Sequence, residues 1–125
     1  MTRIADISEP KTQEHINKLY RNYEILQENI KFLPVKTIQD NYNVDINDYC
    51  VLCNNTSNIT INLPSAKNLA GKEYIFVKIS SNTYSVNIQA KTNEYINNLS
   101  SKLLTNQWQK VKIISNGTNW IILNE

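Results

Sequence analysis

Between Asp45 and Pro64 the chain reads Asp-Ile-Asn-Asp-Tyr-Cys-Val-Leu-Cys-Asn-Asn-Thr-Ser-Asn-Ile-Thr-Ile-Asn-Leu-Pro, and this stretch restricts the fold more than any other. Two short apolar runs, Tyr49 to Cys53 and Ile59 to Leu63, flank Asn54-Asn55-Thr56-Ser57-Asn58, residues that bond their own backbone and tolerate left-handed conformations. In the second run Ile59, Ile61 and Leu63 alternate with Thr60 and Asn62, the period of a strand with one buried face. Pro64 ends it because it has no N–H to give to a ladder. The stretch therefore reads as strand, turn and strand.

The same pattern continues downstream. Strand-like runs fall at 42–46, 49–53, 59–63, 73–79, 84–89, 94–99, 107–115 and 118–123, with Asn, Ser, Thr and Lys between them, and 35–41 is a connector that pairs loosely. Short strands in such close order predict an antiparallel β-sandwich or barrel-like module. Asn116-Gly117 is the strongest hairpin signal, since both central residues of a type I′ turn need positive φ. Gly71 is expected to meet a similar backbone need ahead of Tyr74. Trp120 and Ile122 share one face of the last strand, which favours a core position for the indole over a sugar-stacking one.

Upstream the period changes from two to three and a half. Ile16, Leu19, Tyr23, Leu26, Ile30 and Leu33 recur at spacings of 3, 4, 3, 4 and 3, an a/d seam over nearly three heptads. Ser8, Glu9 and Pro10 make a suitable helix start and Pro34 a stop, so one N-terminal α-helix is predicted from about Glu9 to Leu33, roughly 37 Å long at 1.5 Å per residue. The predicted organisation is thus a fold that is mainly β with one N-terminal helix. Residues 1–34 form a tail and short coiled-coil helix for assembly or docking, and residues 35–125 form an antiparallel β-domain. The seam is narrow and no second helical pattern follows, so it either lies on the chain's own β-domain or joins copies of the chain. Self-association is the preferred reading. Ile at a with Leu at d favours two strands, whereas Tyr23 at an a position suits a wider bundle.

The order Asp48-Tyr49, Val51-Leu52, Asn54, Thr56, Asn58-Ile59-Thr60-Ile61-Asn62-Leu63-Pro64-Ser65-Ala66, then Gly71-Lys72-Glu73-Tyr74, closing with Ser115-Asn116-Gly117-Thr118-Asn119-Trp120-Ile121-Ile122, resembles a small β-module that recurs in bacteriophage fibre proteins. The resemblance covers about Asp45 to Leu123. Members usually carry aliphatic residues where this chain has Cys50 and Cys53. The resemblance implies a virion structural protein, a homotrimeric fibre. It would dock on a capsid or tail protein by its N-terminal region and project the β-domain outward. A head fibre or capsid decoration is preferred to a short tail fibre, because there is one β-module on a stalk of modest reach. The competing reading is a host receptor- or glycan-binding adhesin. There Tyr84 and Tyr95, in Asn- and Ser-rich surroundings, would touch a host surface polysaccharide.

Composition bears on what else the chain could be. The net charge is +2 over 125 residues, with five basic and five acidic side chains in residues 1–34; without a clustered basic footprint, no nucleic-acid partner is expected. No apolar run approaches the ~18 residues of a membrane span and no signal peptide is recognisable, so the expected location is the virion after synthesis in a host cytoplasm. Twenty asparagines alternate with aliphatic residues and read as solvent faces and turns. Cys50 and Cys53 are spaced as C-x-x-C, but the single His15 lies far upstream, and strand residues three apart point to opposite faces. No metal or cofactor is therefore expected. Asp45 and Asp48 fit a strand end and turn better than a cation site. One His without a neighbouring nucleophile, scattered carboxylates and no glycine-rich phosphate loop give no basis for an enzyme.

Overall fold

The computed structural model describes residues 32–125, so the predicted helix and five of its seam residues, Ile16, Leu19, Tyr23, Leu26 and Ile30, lie outside the described residues. Leu33, the sixth, is described: it is 60% exposed in a non-regular segment that leads into the first strand. The compact unit runs from Leu33 to Glu125. Its nine strands are β1 (Val35–Ile38), β2 (Tyr42–Asn43), β3 (Cys50–Cys53), β4 (Ile59–Asn62), β5 (Glu73–Lys78), β6 (Val86–Gln89), β7 (Ser101–Leu104), β8 (Lys110–Ser115) and β9 (Trp120–Asn124).

They form a five-stranded sheet in the order β1-β3-β5-β8-β9 and a four-stranded sheet in the order β2-β4-β6-β7. The first six strands alternate between the two sheets. Pairs β1 with β3, β3 with β5, β2 with β4 and β4 with β6 are all parallel; only β5 with β8, β8 with β9 and β6 with β7 are antiparallel. The antiparallel module predicted from the sequence is therefore corrected to two mixed sheets. No helix occurs among the described residues.

The correction has a local cause. Asn54 to Asn58 does not close a hairpin, since β3 and β4 belong to different sheets. Both strands have a buried face, Val51 and Cys53 on one and Ile59 and Ile61 on the other. The chain turns so that these side chains, rather than the two backbones, face each other. Each strand then takes its hydrogen bonds from the equivalent strand of the next arch. Parallel pairing normally requires a long crossover; here the crossover is the strand in the opposite sheet. Three such arches stack, β1-β2, β3-β4 and β5-β6, in register: Ile38, Cys53 and Lys78 fall in one row, Tyr42, Ile61 and Ile88 in another.

Polar side chains inside the turns hold the stack. Asn55 is fully buried in the second arch. Its amide nitrogen donates to the Ser57 carbonyl at 2.8 Å and, at 3.3–3.4 Å, to the carbonyls of Ser85 and Tyr84 in the third arch. Its side-chain oxygen accepts from Ser80 Oγ at 2.8 Å and its carbonyl from Asn82 Nδ2 at 2.8 Å. Beneath them Lys78 is buried, and its ammonium donates to the Ser80 carbonyl, Ser80 Oγ and Asn82 Oδ1. All three protons are used without a carboxylate, and burial pushes the amine pKa down.

Between the sheets lies one core, with Val51, Tyr74, Phe76, Val111, Ile113 and Trp120 from one side and Ile59, Ile61, Val86, Ile88 and Leu104 from the other. Trp120 is in this core, as expected from its face, 5.4 Å from the Tyr74 ring centroid. Trp108, by contrast, is 66% exposed at φ 69° in the turn before β8. The closing hairpin forms, but not as a type I′ turn: Gly117 has φ 98° while Asn116 does not have positive φ. Asn116 Oδ1 instead accepts from the backbone N–H of Thr118 and Asn119. The strand expected at 94–99 is a turn with Asn97 and Asn98 in the left-handed region, and β7 lies after it.

The core assignment predicts opposite outcomes for two aromatic residues. Phe76→Ala should cost about 3–5 kcal/mol and Trp108→Ala less than about 1 kcal/mol, read as denaturant midpoints at unchanged slope. Equal losses would contradict the placement of Trp108 on the surface.

Candidate interaction face

The outward residues of the two sheets differ in kind. On the four-stranded sheet they are Asn43, Thr60, Asn62, Asn87, Gln89 and Ser101, joined by Leu103, and Asn62 Nδ2 donates to Asn43 Oδ1 at 3.0 Å along the row. This is a solvated face. On the five-stranded sheet one outward row runs Val35, Cys50, Ile75, Lys112; the next runs Thr37, Leu52, Val77, Lys110; a third runs Glu73, Ile114, Ile121. Leu123, the extra residue at the irregularity beside Lys112 and Ile113, adds to it and is exposed.

No described strand or helix lies over this second face, since all nine strands belong to the two sheets. Its centre (Cys50, Leu52, Ile75, Val77, Ile114) is half-buried, whereas Val35, Ile121 and Leu123 on the outer strands are exposed. Charge is sparse: Lys112 Nζ meets Glu73 Oε1 at 3.2 Å, which raises the amine pKa, and Lys110 Nζ donates to Asn124 Oδ1. Contiguous apolar surface of this kind marks a protein contact more often than a solvent boundary. Parallel strands also ordinarily have both faces covered and read as continuous apolar runs.

The sequence reading missed these residues as a surface. A signal was present: Tyr49-Cys50-Val51-Leu52-Cys53 and Tyr74-Ile75-Phe76-Val77 are unbroken, unlike the alternating Ile59-Thr60-Ile61-Asn62.

The two tyrosines singled out as ligand contacts are not brought together. Tyr84 precedes β6 and Tyr95 follows it, with the four-residue strand between them, roughly 13 Å of chain at ~3.3 Å per residue. Both are about half-exposed. Tyr95 lines an open cleft of about 490 Å³ with Asn62, Gln89, Lys91, Asn93 and Ser100. Glu94, also in its wall, is buried and already engaged: its carboxylate accepts from Ser65 Oγ and from the Ala66 backbone N–H at 2.8 Å. Tyr84 is not part of this cleft; its carbonyl serves Asn55.

The remaining sequence candidates are structural. Asp48 Oδ2 accepts from Tyr42 Oη and from the Asp45 backbone N–H at 2.9 Å, and Tyr74 Oη donates to the Asp45 carbonyl. The Asp48 carboxylate and the Asp45 backbone therefore close a turn. Among the described residues no three His, Cys, Asp or Glu side chains stand together as a metal group. Cys50 points outward and Cys53 into the core, both as free thiols.

Burial pushes the Cys53 thiol from 9.0 to about 12 and raises that of Cys50 as well. This opposes thiolate reactivity. Because folding favours the protonated Cys53, its contribution to stability is complete below about pH 9 and is lost as pH rises toward 12. Cys53→Ala should flatten the fall in stability over that interval relative to the parent chain. An identical alkaline slope in both proteins, measured by urea unfolding at successive pH values, would remove the assignment.

Compared with protein-family models the chain matches none, and a search of curated proteins finds no match either.

Proposed function

We propose that this chain is a virion structural protein of a bacteriophage, a homotrimeric fibre whose N-terminal region assembles and docks while the β-domain projects outward. The observation that carries the reading is the asymmetry of the β-domain, one sheet presenting amides to solvent and the other a largely apolar face edged by Lys110 and the Lys112–Glu73 pair. A self-assembling fibre needs that combination of a solvated exterior and a surface for neighbouring protein. The fibre resemblance over Asp45 to Leu123 and the heptad seam of residues 16–33 point the same way. A non-enzymatic role on a capsid or tail protein fits the absence of any nucleophile–base pair from the sequence motifs.

Assembly through the seam has a direct test. Leu19→Ala together with Leu26→Ala should cost on the order of 2–5 kcal/mol per fully buried site, repeated in every subunit, and release monomers in sedimentation. The β-sheet circular dichroism signal should persist. Lys18→Ala with Glu28→Ala, at outward positions of the same heptads, should change association little, because solvated charges contribute about 0–1 kcal/mol. Dissociation by the outward pair alone would show the register to be wrong.

The cleft beside Tyr95 favours a second reading, a host-glycan adhesin. An exposed ring flanked by Asn62, Gln89 and Asn93 offers a stacking surface and amide donors of the kind sugars use. Under this reading the protein gives saturable binding to a bacterial surface polysaccharide, and Tyr95→Ala lowers the affinity at least tenfold while Tyr84→Ala does not. Equal effects of the two substitutions would place the contact elsewhere.

A further inference from the structure

The outward face of the five-stranded sheet is wide and largely apolar, and no described element covers it. We infer that it packs around a three-fold axis against the same face of two further copies of this chain, forming a closed three-sided prism of sheets. This rests on the trimeric-fibre reading and specifies the surface that such a trimer would bury.

Width is the first argument. Five strands about 4.8 Å apart span roughly 19 Å between the outer two. Sheets pack about 10 Å apart, so each would stand about 5 Å from a shared axis. A three-sided prism of that inscribed radius has sides roughly 3.5 times as long, or about 17 Å. One five-stranded sheet therefore fills one side of the prism.

The distribution of side chains agrees. β5 is the middle strand of the five, so Ile75 and Val77 fall nearest the axis, together with Glu73 at the start of the strand, whose carboxylate is neutralised by Lys112. Lys110 and Lys112, on β8, stand to one side of it, and Lys112 is paired with Glu73. At each corner β1 of one copy would meet β9 of the next, and these are the strands that carry the exposed Val35, Ile121 and Leu123. Leu52 and Ile114 fill the area between.

Area argues for copies of this chain over an unrelated partner. A face of about 19 Å by 20 Å offers roughly 400 Å² per chain, about half of the ~800 Å² per partner found in stable interfaces. It is too small to hold alone. The heptad seam of residues 16–33 is also marginal alone at under three repeats. Joined in one chain, each raises the effective concentration of the other, so two weak self-contacts make one stable assembly. An unrelated partner on the same face would lack that second contact.

Cys50 provides the probe, since it lies in the central row of the face while Cys53 is buried in the core. The full-length chain is examined by sedimentation equilibrium and by labelling with a monofunctional maleimide. The expected result is a trimer in which Cys50 is labelled at least tenfold more slowly than in Ile75→Asp/Val77→Asp, with the trimer of that variant weakened at least tenfold. Thr60→Glu/Asn87→Asp, on the amide face, should change neither measurement. If the double aspartate variant does not fold, the wild type answers by itself: the Cys50 labelling rate must rise at least tenfold on dilution through the dissociation range.

A trimer whose Cys50 is labelled at a rate independent of dilution, or as fast as in the variant, would overturn this interface and leave the fibre reading standing. A stable dimer would overturn the three-sided geometry. A monomer at micromolar concentration would overturn both the interface and the trimeric fibre.

Discussion

The buried amide of Asn55 is the contact on which the stacked arrangement depends. It sits where the chain leaves one sheet for the other, and it bonds both its own arch and the next one. A turn that faced water could leave those carbonyls to solvent. A turn that stacks under another cannot, and each buried group left unpaired costs about 1–3 kcal/mol. Asn55, Ser80, Asn82 and Lys78 satisfy one another so completely that the crossings can be buried, and burying them permits the parallel register of β3 on β5.

Stacking also accounts for the difference between the two faces. In register, outward positions line up from strand to strand, so residues of like character on successive arches become neighbours. Asn43, Asn62 and Gln89 make a hydrogen-bonding row on one side. Val35, Cys50 and Ile75 make an apolar row on the other. The second face is contiguous because the register aligns its residues; scattered over an irregular surface the same side chains would be unremarkable.

Much of the β-domain was legible in the sequence. Alternation located most of the strands, and the face of Trp120 predicted its burial. The Asn-Gly pair located the last hairpin, though with Asn116 capping the turn through its side chain instead of adopting positive φ. The misreadings share one cause. Period-2 alternation reports which side chains are buried and says nothing about the strand that supplies the hydrogen bonds, so arches and hairpins look alike. Tyr84 and Tyr95 were paired by composition, yet the cleft that Tyr95 lines does not include Tyr84, because clefts are made by loops that approach from distant parts of the chain. The outer apolar face was missed for the same reason, although the unbroken apolar runs of β3 and β5 are what strands with apolar residues on both sides produce.

The sequence by itself determined local matters: where most of the strands lie, that the last two are joined by a turn at Asn116-Gly117, that the two C-x-x-C thiols point to opposite faces, and that a heptad pattern precedes Pro34. These follow from short-range sterics and from solvent, which act on neighbours along the chain. Tertiary structure alone decided the parallel pairing, the two-sheet division and the alignment of outward residues into one amide face and one apolar face. Those depend on hydrogen bonds and contacts between residues twenty or more positions apart, such as Asn55 with Ser80 and Cys50 with Ile75. No local preference specifies such pairs, because the partner is chosen by what the whole stack can bury and satisfy at once.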